Sequence, residues 1–321
     1  MSVATTTRRA LKRVSVRLFM GADRLGAHIL PKHYYTPIPD YTWLNENKAI
    51  WCRRTDLTGI EWDLNRQLKW LREQCEPFYG EVRGLKIYSE AVARAYGPGY
   101  GPIESQVLHC VCRRVKPKRI IEIGCGVSTA CMMHAVRLNA SEGSPECALT
   151  CVDPFPSPAL SELQGIELVP AMVQTLPLAF FDQLQAGDIL FIDSTHSVKT
   201  GSDVLYLYLE VLPRLKPGVL VHIHDIFLPY LYQRDVLQHF FDWQETSLLL
   251  ALLKGNDGLR VLGCLSALHY DLTDALRAAL SDYSPQPTLA DGLSSAAPGG
   301  HFPASIWLEV TTRPLRGMAT A

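Results

Sequence analysis

The segment Arg119-Ile-Ile-Glu122-Ile-Gly124-Cys-Gly126-Val-Ser128-Thr129 constrains this chain more than any other. Its short apolar run, rich in β-branched residues, reads as a buried strand, and the two glycines let the backbone turn sharply and approach a ligand. Helical spacing resumes through Met132, Met133 and Val136, so a helix follows the turn. The unpaired N–H groups and positive dipole end of that helix suit a negative group on a cofactor. Thr129 stands where the dinucleotide fingerprint has its third glycine, and Glu122 precedes the first glycine by two residues. That pattern disfavours NAD or FAD.

From about Ile103 short apolar runs alternate with helical patterns, the form of a mostly parallel sheet covered on both faces. Strands are expected at Arg119–Ile123, Leu149–Asp153, Ile166–Val173, Asp188–Asp193 and Val219–Asp225. Ser202 can cap a helix whose Val204, Leu207, Val211 and Leu215 share a face, and Pro217-Gly218 turns the chain into the next strand. A further helix is expected over Leu237–Lys254. Two late strands, Leu259–Leu265 and Ser305–Thr312, flank a Pro/Gly/Ser-rich insertion and suggest an antiparallel pair at the sheet edge. Residues 1–100 are rich in aromatics and prolines, with helical spacing over Asp63–Cys75, and read as an N-terminal helical cap or lid ahead of a catalytic domain at 101–321.

Chemistry gathers at the strand ends. The second strand ends in Asp153, a carboxylate able to accept both hydroxyls of a ribose. The fourth strand ends in Asp193-Ser-Thr-His196 and the fifth in His222-Ile-His224-Asp225. In an open parallel sheet these ends converge beside the ligand. His196 titrates near neutral pH and suits a general base, and His224 reads as a nitrogen donor to a divalent ion or as a hydrogen-bonded histidine of the sheet. His222, deeper on the same side of its strand, reads as structural.

Acid-x-Gly-x-Gly on the first strand, with Asp153 ending the second, resembles class I S-adenosylmethionine (SAM) methyltransferases. The resemblance implies a Rossmann-like seven-stranded sheet, mostly parallel with an antiparallel edge hairpin, and a SAM site that includes Glu122, Gly124, Gly126, Ser128, Asp153 and Gln174. Phe-Ile-Asp193 followed three residues later by His196, then Asp225, is similar to the metal-dependent O-methyltransferases. By that likeness Asp193 and Asp225 fall on two metal-binding acids and His196 on the catalytic base, while Ile226 replaces an asparagine ligand. The phrases around Asp193 and His224 also resemble a bacterial natural-product and glycan subgroup. The reaction implied is methylation of a hydroxyl on a small-molecule acceptor, with a divalent metal (Mg, Mn or Fe) compatible. A metal-dependent oxygenase or hydrolase on the same fold is the alternative. Tyr34, Tyr35, Tyr96, Tyr100 and the insertion after Leu231 are candidates for the acceptor lid.

Composition narrows the partners. Thirty-one basic against 32 acidic residues give a formal charge of −1, so no whole-molecule field favours nucleic acid. No apolar run reaches the roughly 20 residues of a membrane span. Arg8, Arg9, Lys12, Arg13 and Arg17 precede the first acid without the apolar stretch of a secretory signal, and read as a basic surface helix. Nine cysteines without metal-site spacing read as reduced thiols, hence a cytoplasmic protein. A homo-oligomer is compatible with all of this.

Overall fold

A computed structural model describes residues 14–30, 32–97, 99–239, 241–294 and 299–312. Seven strands form one sheet: β1 (Arg119–Ile123), β2 (Ala148–Val152), β3 (Glu167–Val169), β4 (Ile189–Ile192), β5 (Leu220–His224), β6 (Leu259–Cys264) and β7 (Ser305–Val310). Their order is β3-β2-β1-β4-β5-β7-β6. The first five run parallel, and β7 lies antiparallel between β5 and β6. This is the Rossmann-like, seven-stranded sheet expected, and its late strands do form the antiparallel pair.

Period-two alternation divides the strands between two cores. On one face Ile120 and Phe191 pack with residues of helices α1 (Leu64–Cys75), α2 (Pro102–Val115) and α3 (Val127–Ser141), among them Leu71, Val107 and Met132. On the other, Ile121, Ile123, Leu190 and Ile192 pack with Val204, Leu207 and Val211 and with Leu249 of α4 (Glu245–Leu253). Burial on both faces explains why the central strands read as continuous apolar runs. Ser202 caps its helix as expected, its hydroxyl accepting from the Leu205 N–H at 3.2 Å.

The chain divides into two compact units, Met1–Trp51 and Cys52–Ala321. In the first, Tyr41–Glu46 is a short helix whose N-terminal N–H groups are accepted by the Asp40 carboxylate. In the second, residues 52–100, read from sequence as part of a separate cap, build the sheet domain itself: Leu68, Leu71 and Cys75 share the core of Ile103 and Val107. Two element boundaries also differ. The third strand keeps only Glu167–Val169, and Val173–Thr175 makes a 3-10 turn instead. The helix expected over Leu237–Lys254 starts at Glu245. Just before it, the Trp243 N–H is drawn to the Gln233 side chain at 3.2 Å and the Trp243 ring lies on His196. The arginines and lysine at positions 8–13 lie outside the described residues.

Candidate active site

The turn after β1 is fixed by its neighbours. Gly124 has φ +78°, and a Cβ there would sit 1.7 Å from the Asp193 carbonyl oxygen, so glycine is required where the turn crosses the end of β4. Behind the turn, Glu122 is fully buried. Its carboxylate accepts from the Ser128 and Thr129 hydroxyls, both at 2.6 Å, and from the Cys151 thiol at 3.3 Å. Thr129 Oγ1 in turn accepts from the Gly126 N–H at 3.0 Å. The residue that replaces the third glycine therefore ties the strand acid to the turn, a role its position alone did not reveal. Burial, only partly offset by these donors, pushes Glu122 up to about 7.

A cleft of about 580 Å³ opens in front of the turn, lined by Gly124, Gly126, Ser128, Asp153, Asp193, His196, Asp225, Tyr100, Phe241 and Trp243. A second cavity of about 410 Å³ shares Gly124, Asp153 and Asp193 with it and adds Phe155, Met172 and Gln174. The structure thus brings Gly124, Gly126, Ser128, Asp153 and Gln174 to one continuous surface. Glu122, expected among them, lines neither cavity and can act only through Ser128 and Thr129. Asp153 holds the turn as well as the cleft: its Oδ2 accepts from the Cys125 N–H at 3.1 Å and its Oδ1 from the Phe155 N–H at 2.7 Å. Each oxygen keeps a further lone pair for a ribose diol. A glycine turn without Cβ atoms, a helix N-terminus and this carboxylate fit SAM.

The far wall carries charge. His196 Nε2 lies 3.3 Å from Asp193 Oδ1 and 3.5 Å from Asp225 Oδ2, while Nδ1 lies 2.6 Å from Glu245 Oε2. His224 Nδ1 lies 3.3 Å from Asp193 Oδ1 and 3.6 Å from Asp225 Oδ2, and Nε2 lies 3.9 Å from Glu104 Oε1. His196 and Asp225 both adopt left-handed backbone, φ +57° and +53°, which non-glycine residues accept only where the surroundings enforce it. For His196 the enforcement is visible: Asp203 clamps the preceding Thr195 through its N–H at 2.8 Å and its hydroxyl at 2.6 Å.

Burial disfavours a charged imidazole at both histidines, but the carboxylates outweigh it. His196 rises well above its ordinary value through its bonds to Asp193 and Glu245 and the charges of Glu245 and Asp225, and His224 is pushed up to about 9 by Asp225 and Asp193. Asp193 is held far below the usual carboxylate range, because His224 and His196 overcome the cost of burial. Asp225 is raised, burial exceeding the help it receives from the same histidines. Donor atoms of Asp193, His196 and Asp225 lie within 4.8 Å of one another. The buried Nδ1 of His224 makes no hydrogen bond of good geometry and faces the same two carboxylates. Two acids and a histidine nitrogen within 4.8 Å of one another fit a divalent cation; the histidine of that set is His196, and His224 faces the same acids at 3.3 and 3.6 Å.

The other expected residues separate. His222 is buried against Phe191 and Trp307 and bonds the Tyr100 hydroxyl at 3.1 Å, a structural role. Of the lid tyrosines, Tyr100 borders the main cleft, Tyr96 lines cavities elsewhere, and Tyr34 and Tyr35 belong to the N-terminal unit. The segment after Leu231 does reach the cleft, through Phe241 and Trp243. Sequence reasoning missed Glu245, Asp203 and Glu104. The mixed spacing of Ser202-Asp203 admitted only the cap, and Glu104 and Glu245 are single acids inside helical patterns.

Residues 121–226 match the family model described as a methyltransferase domain. That segment, about a third of the chain, is a methyltransferase domain, and the strand order, the glycine turn and Asp153 ending β2 are those expected of class I SAM-dependent enzymes. Its structure is similar to three solved ones. The O-methyltransferase TomG from Streptomyces achromogenes, in complex with SAM, is 14% identical over 79% of this chain and 92% of that one, with a TM-score of 0.40. An O-methyltransferase from Bacillus cereus with S-adenosylhomocysteine is 12% identical over 75% and 100%, at 0.43. MycE of mycinamycin biosynthesis, with Mg, S-adenosylhomocysteine and mycinamycin VI, is 15% identical over 74% and 56%, at 0.36. No curated protein matches the chain significantly. All nine cysteines are free thiols, and no described helix is long and apolar enough to cross a membrane.

Proposed function

We propose that this methyltransferase makes a methyl ether on a small-molecule hydroxyl, with His196 as the base. The observation that carries this reading is the Asp193–His196–Asp225 cluster, which faces the glycine turn across a single cleft. Bound SAM supplies an electrophilic methyl group on a sulfonium. Gly124, Gly126 and the N-terminus of α3 approach its methionine part, Asp153 accepts its ribose hydroxyls, and Gln174 borders the space left for its adenine. A divalent cation on Asp193, Asp225 and His224 would supply a Lewis-acid hold on the acceptor oxygen and cancel the charge that keeps a proton on His196. His196 Nε2 takes the hydroxyl proton, and the oxygen lone pair forms the O–C bond as the C–S bond breaks. The products are the methyl ether, S-adenosylhomocysteine and a proton on His196. Phe241 and Trp243 give the acceptor an apolar wall beside the base.

Calorimetry with SAM and S-adenosylhomocysteine tests the cofactor half. The acceptor half is tested with methyl-labelled SAM and a panel of small phenols and glycosides. Label in a base-stable ether is the expected result; label in a base-labile ester or on nitrogen overturns the hydroxyl reading.

A further inference from the structure

The formal charge of −1 hides an asymmetry. Residues 1–51 carry eight basic against three acidic side chains, net +5, while the other 270 carry 23 against 29, net −6. The same unit, Met1–Trp51, holds eleven of the seventeen large apolar or aromatic side chains that are exposed among the described residues. Such side chains are ordinary when scattered singly over a surface; their concentration in one short unit marks a place where something docks.

The described helix over 14–23 shows how they are presented. Phe19 turns inward against the His28 ring, centroids 5.6 Å apart, and Ala22 is buried. The rest of the circumference is exposed. Val14 and Leu18 stand four residues apart, as do Val16 and Met20, so they form two apolar stripes with Arg17 between them. The ion pairs of this unit are His28 with Asp23 and Lys32 with Asp40, so among the described residues Arg17 and Arg24 keep their charges unpaired. Further on, the turn at 33–36 closes through the Thr36 N–H, which donates to the His33 carbonyl at 2.9 Å. It holds Tyr34 and Tyr35 edge to face, 88% and 83% exposed.

Apolar stripes beside arginine, with tyrosine rings that are apolar but for a hydroxyl tip, suit the boundary between lipid headgroups and acyl chains. No described helix is long and apolar enough to cross a membrane, so this one lies along that boundary. A net charge of +5 selects an anionic surface. The same charge opposes a second copy of the unit, and a nucleic-acid backbone would use the arginines but leave the apolar stripes in water.

We propose that the N-terminal unit docks on an anionic lipid bilayer, with the stripes of helix 14–23 inserted and Arg17 and Arg24 at the headgroup phosphates. The inference is independent of the acceptor and of any cation at the cleft.

The test is co-sedimentation of the full chain with phosphatidylcholine vesicles, with and without about 30 mol% phosphatidylglycerol. Binding is expected to be at least about tenfold tighter with phosphatidylglycerol and to weaken as salt is raised. Leu18→Glu combined with Met20→Glu, both exposed and outside the cleft, is expected to weaken it about tenfold or more with melting temperature and SAM affinity unchanged, while Leu18→Ile with Met20→Leu retains it. Arg17→Gln with Arg24→Gln is expected to weaken binding about fivefold on the anionic vesicles only. Absence of sedimentation with phosphatidylglycerol vesicles overturns the proposal, and this wild-type result decides alone if the glutamate variant does not fold. Binding that survives Leu18→Glu with Met20→Glu also overturns it, because charge alone would then be the attraction, as for a nucleic acid. Sedimentation velocity without lipid completes the test: a dimer that this double substitution disperses, with no vesicle binding, assigns the stripes to a second copy and overturns the lipid reading.

Discussion

Behind each wall of the cleft lies a glutamate with no exposed surface, Glu122 and Glu245, and the two are held in opposite ways. Glu122, behind the cofactor turn, receives two hydroxyls and a thiol, all neutral. Glu245, behind the charged wall, faces an imidazole that two further carboxylates also attract. A wall that only shapes a backbone turn can be set by neutral donors. A wall proposed to move a proton concentrates titratable groups, and their mutual fields shift one another.

The steric side of this contrast is broken most severely by Gly124→Ala. The methyl group would collide with the Asp193 carbonyl and require left-handed backbone. A loss above about 4 kcal/mol is expected, lowering the melting temperature by roughly 10 °C or more. Normal melting would mean the turn can move away from β4.

On the charged wall, His196→Ala is expected to lower kcat by about 10²- to 10⁴-fold while SAM affinity by calorimetry changes less than about threefold. Equal losses in both would merge the two walls into one unit and remove their division of labour.

Glu122→Gln sharpens the contrast through pH. The folded Glu122 value of about 7 lies above its ordinary 4.5. The proton therefore binds the folded state more tightly, and the stability this confers is complete below pH 4.5 and lost as pH rises through 7. The full difference is about 3 kcal/mol. Denaturant unfolding at a series of pH values should show that slope in the wild type and a flatter one in Glu122→Gln. Parallel slopes would show that folding leaves the proton affinity of Glu122 unchanged.

What the sequence displayed and what it hid follow the same division. The β1 strand, the glycine turn and Asp153 were legible because burial pattern and turn chemistry are local. Asp193 and His196 were legible because they are three residues apart at one strand end. Glu245 lies 49 residues from His196 in an apolar helix and carries no local mark. Thr129 was read as the loss of a glycine, because its two hydrogen bonds exist only once β1 and α3 pack together. The β7 strand could be paired with β6 from its pattern, but its insertion between β5 and β6 is a long-range choice. Residues 52–100 looked separate because their prolines and aromatics punctuate the chain, while the Leu68 and Leu71 face that joins them to the core is short.

A cation, if the charged wall takes one, should feel Asp225 directly. Asp225→Asn keeps the shape and removes one charge, and Mn²⁺ affinity by calorimetry is expected to fall about 10- to 100-fold with SAM affinity unchanged. Absence of Mn²⁺ heat in the wild type would leave Asp193 and Asp225 as orienters of His196 alone.

The smallest effect is expected at Gln174, which is half-buried in the second cavity. Its Nε2 already donates to the Gly201 carbonyl at 3.1 Å, so any bond to an adenine competes with an existing one. Exchanging one neutral hydrogen bond for another is worth about 0.5–1.5 kcal/mol at most. Gln174→Ala should therefore weaken SAM binding by no more than about tenfold, with kcat unchanged. A larger loss would make Gln174 an anchor of the cofactor wall, and that wall would then depend on a side chain where the turn itself depends on backbone.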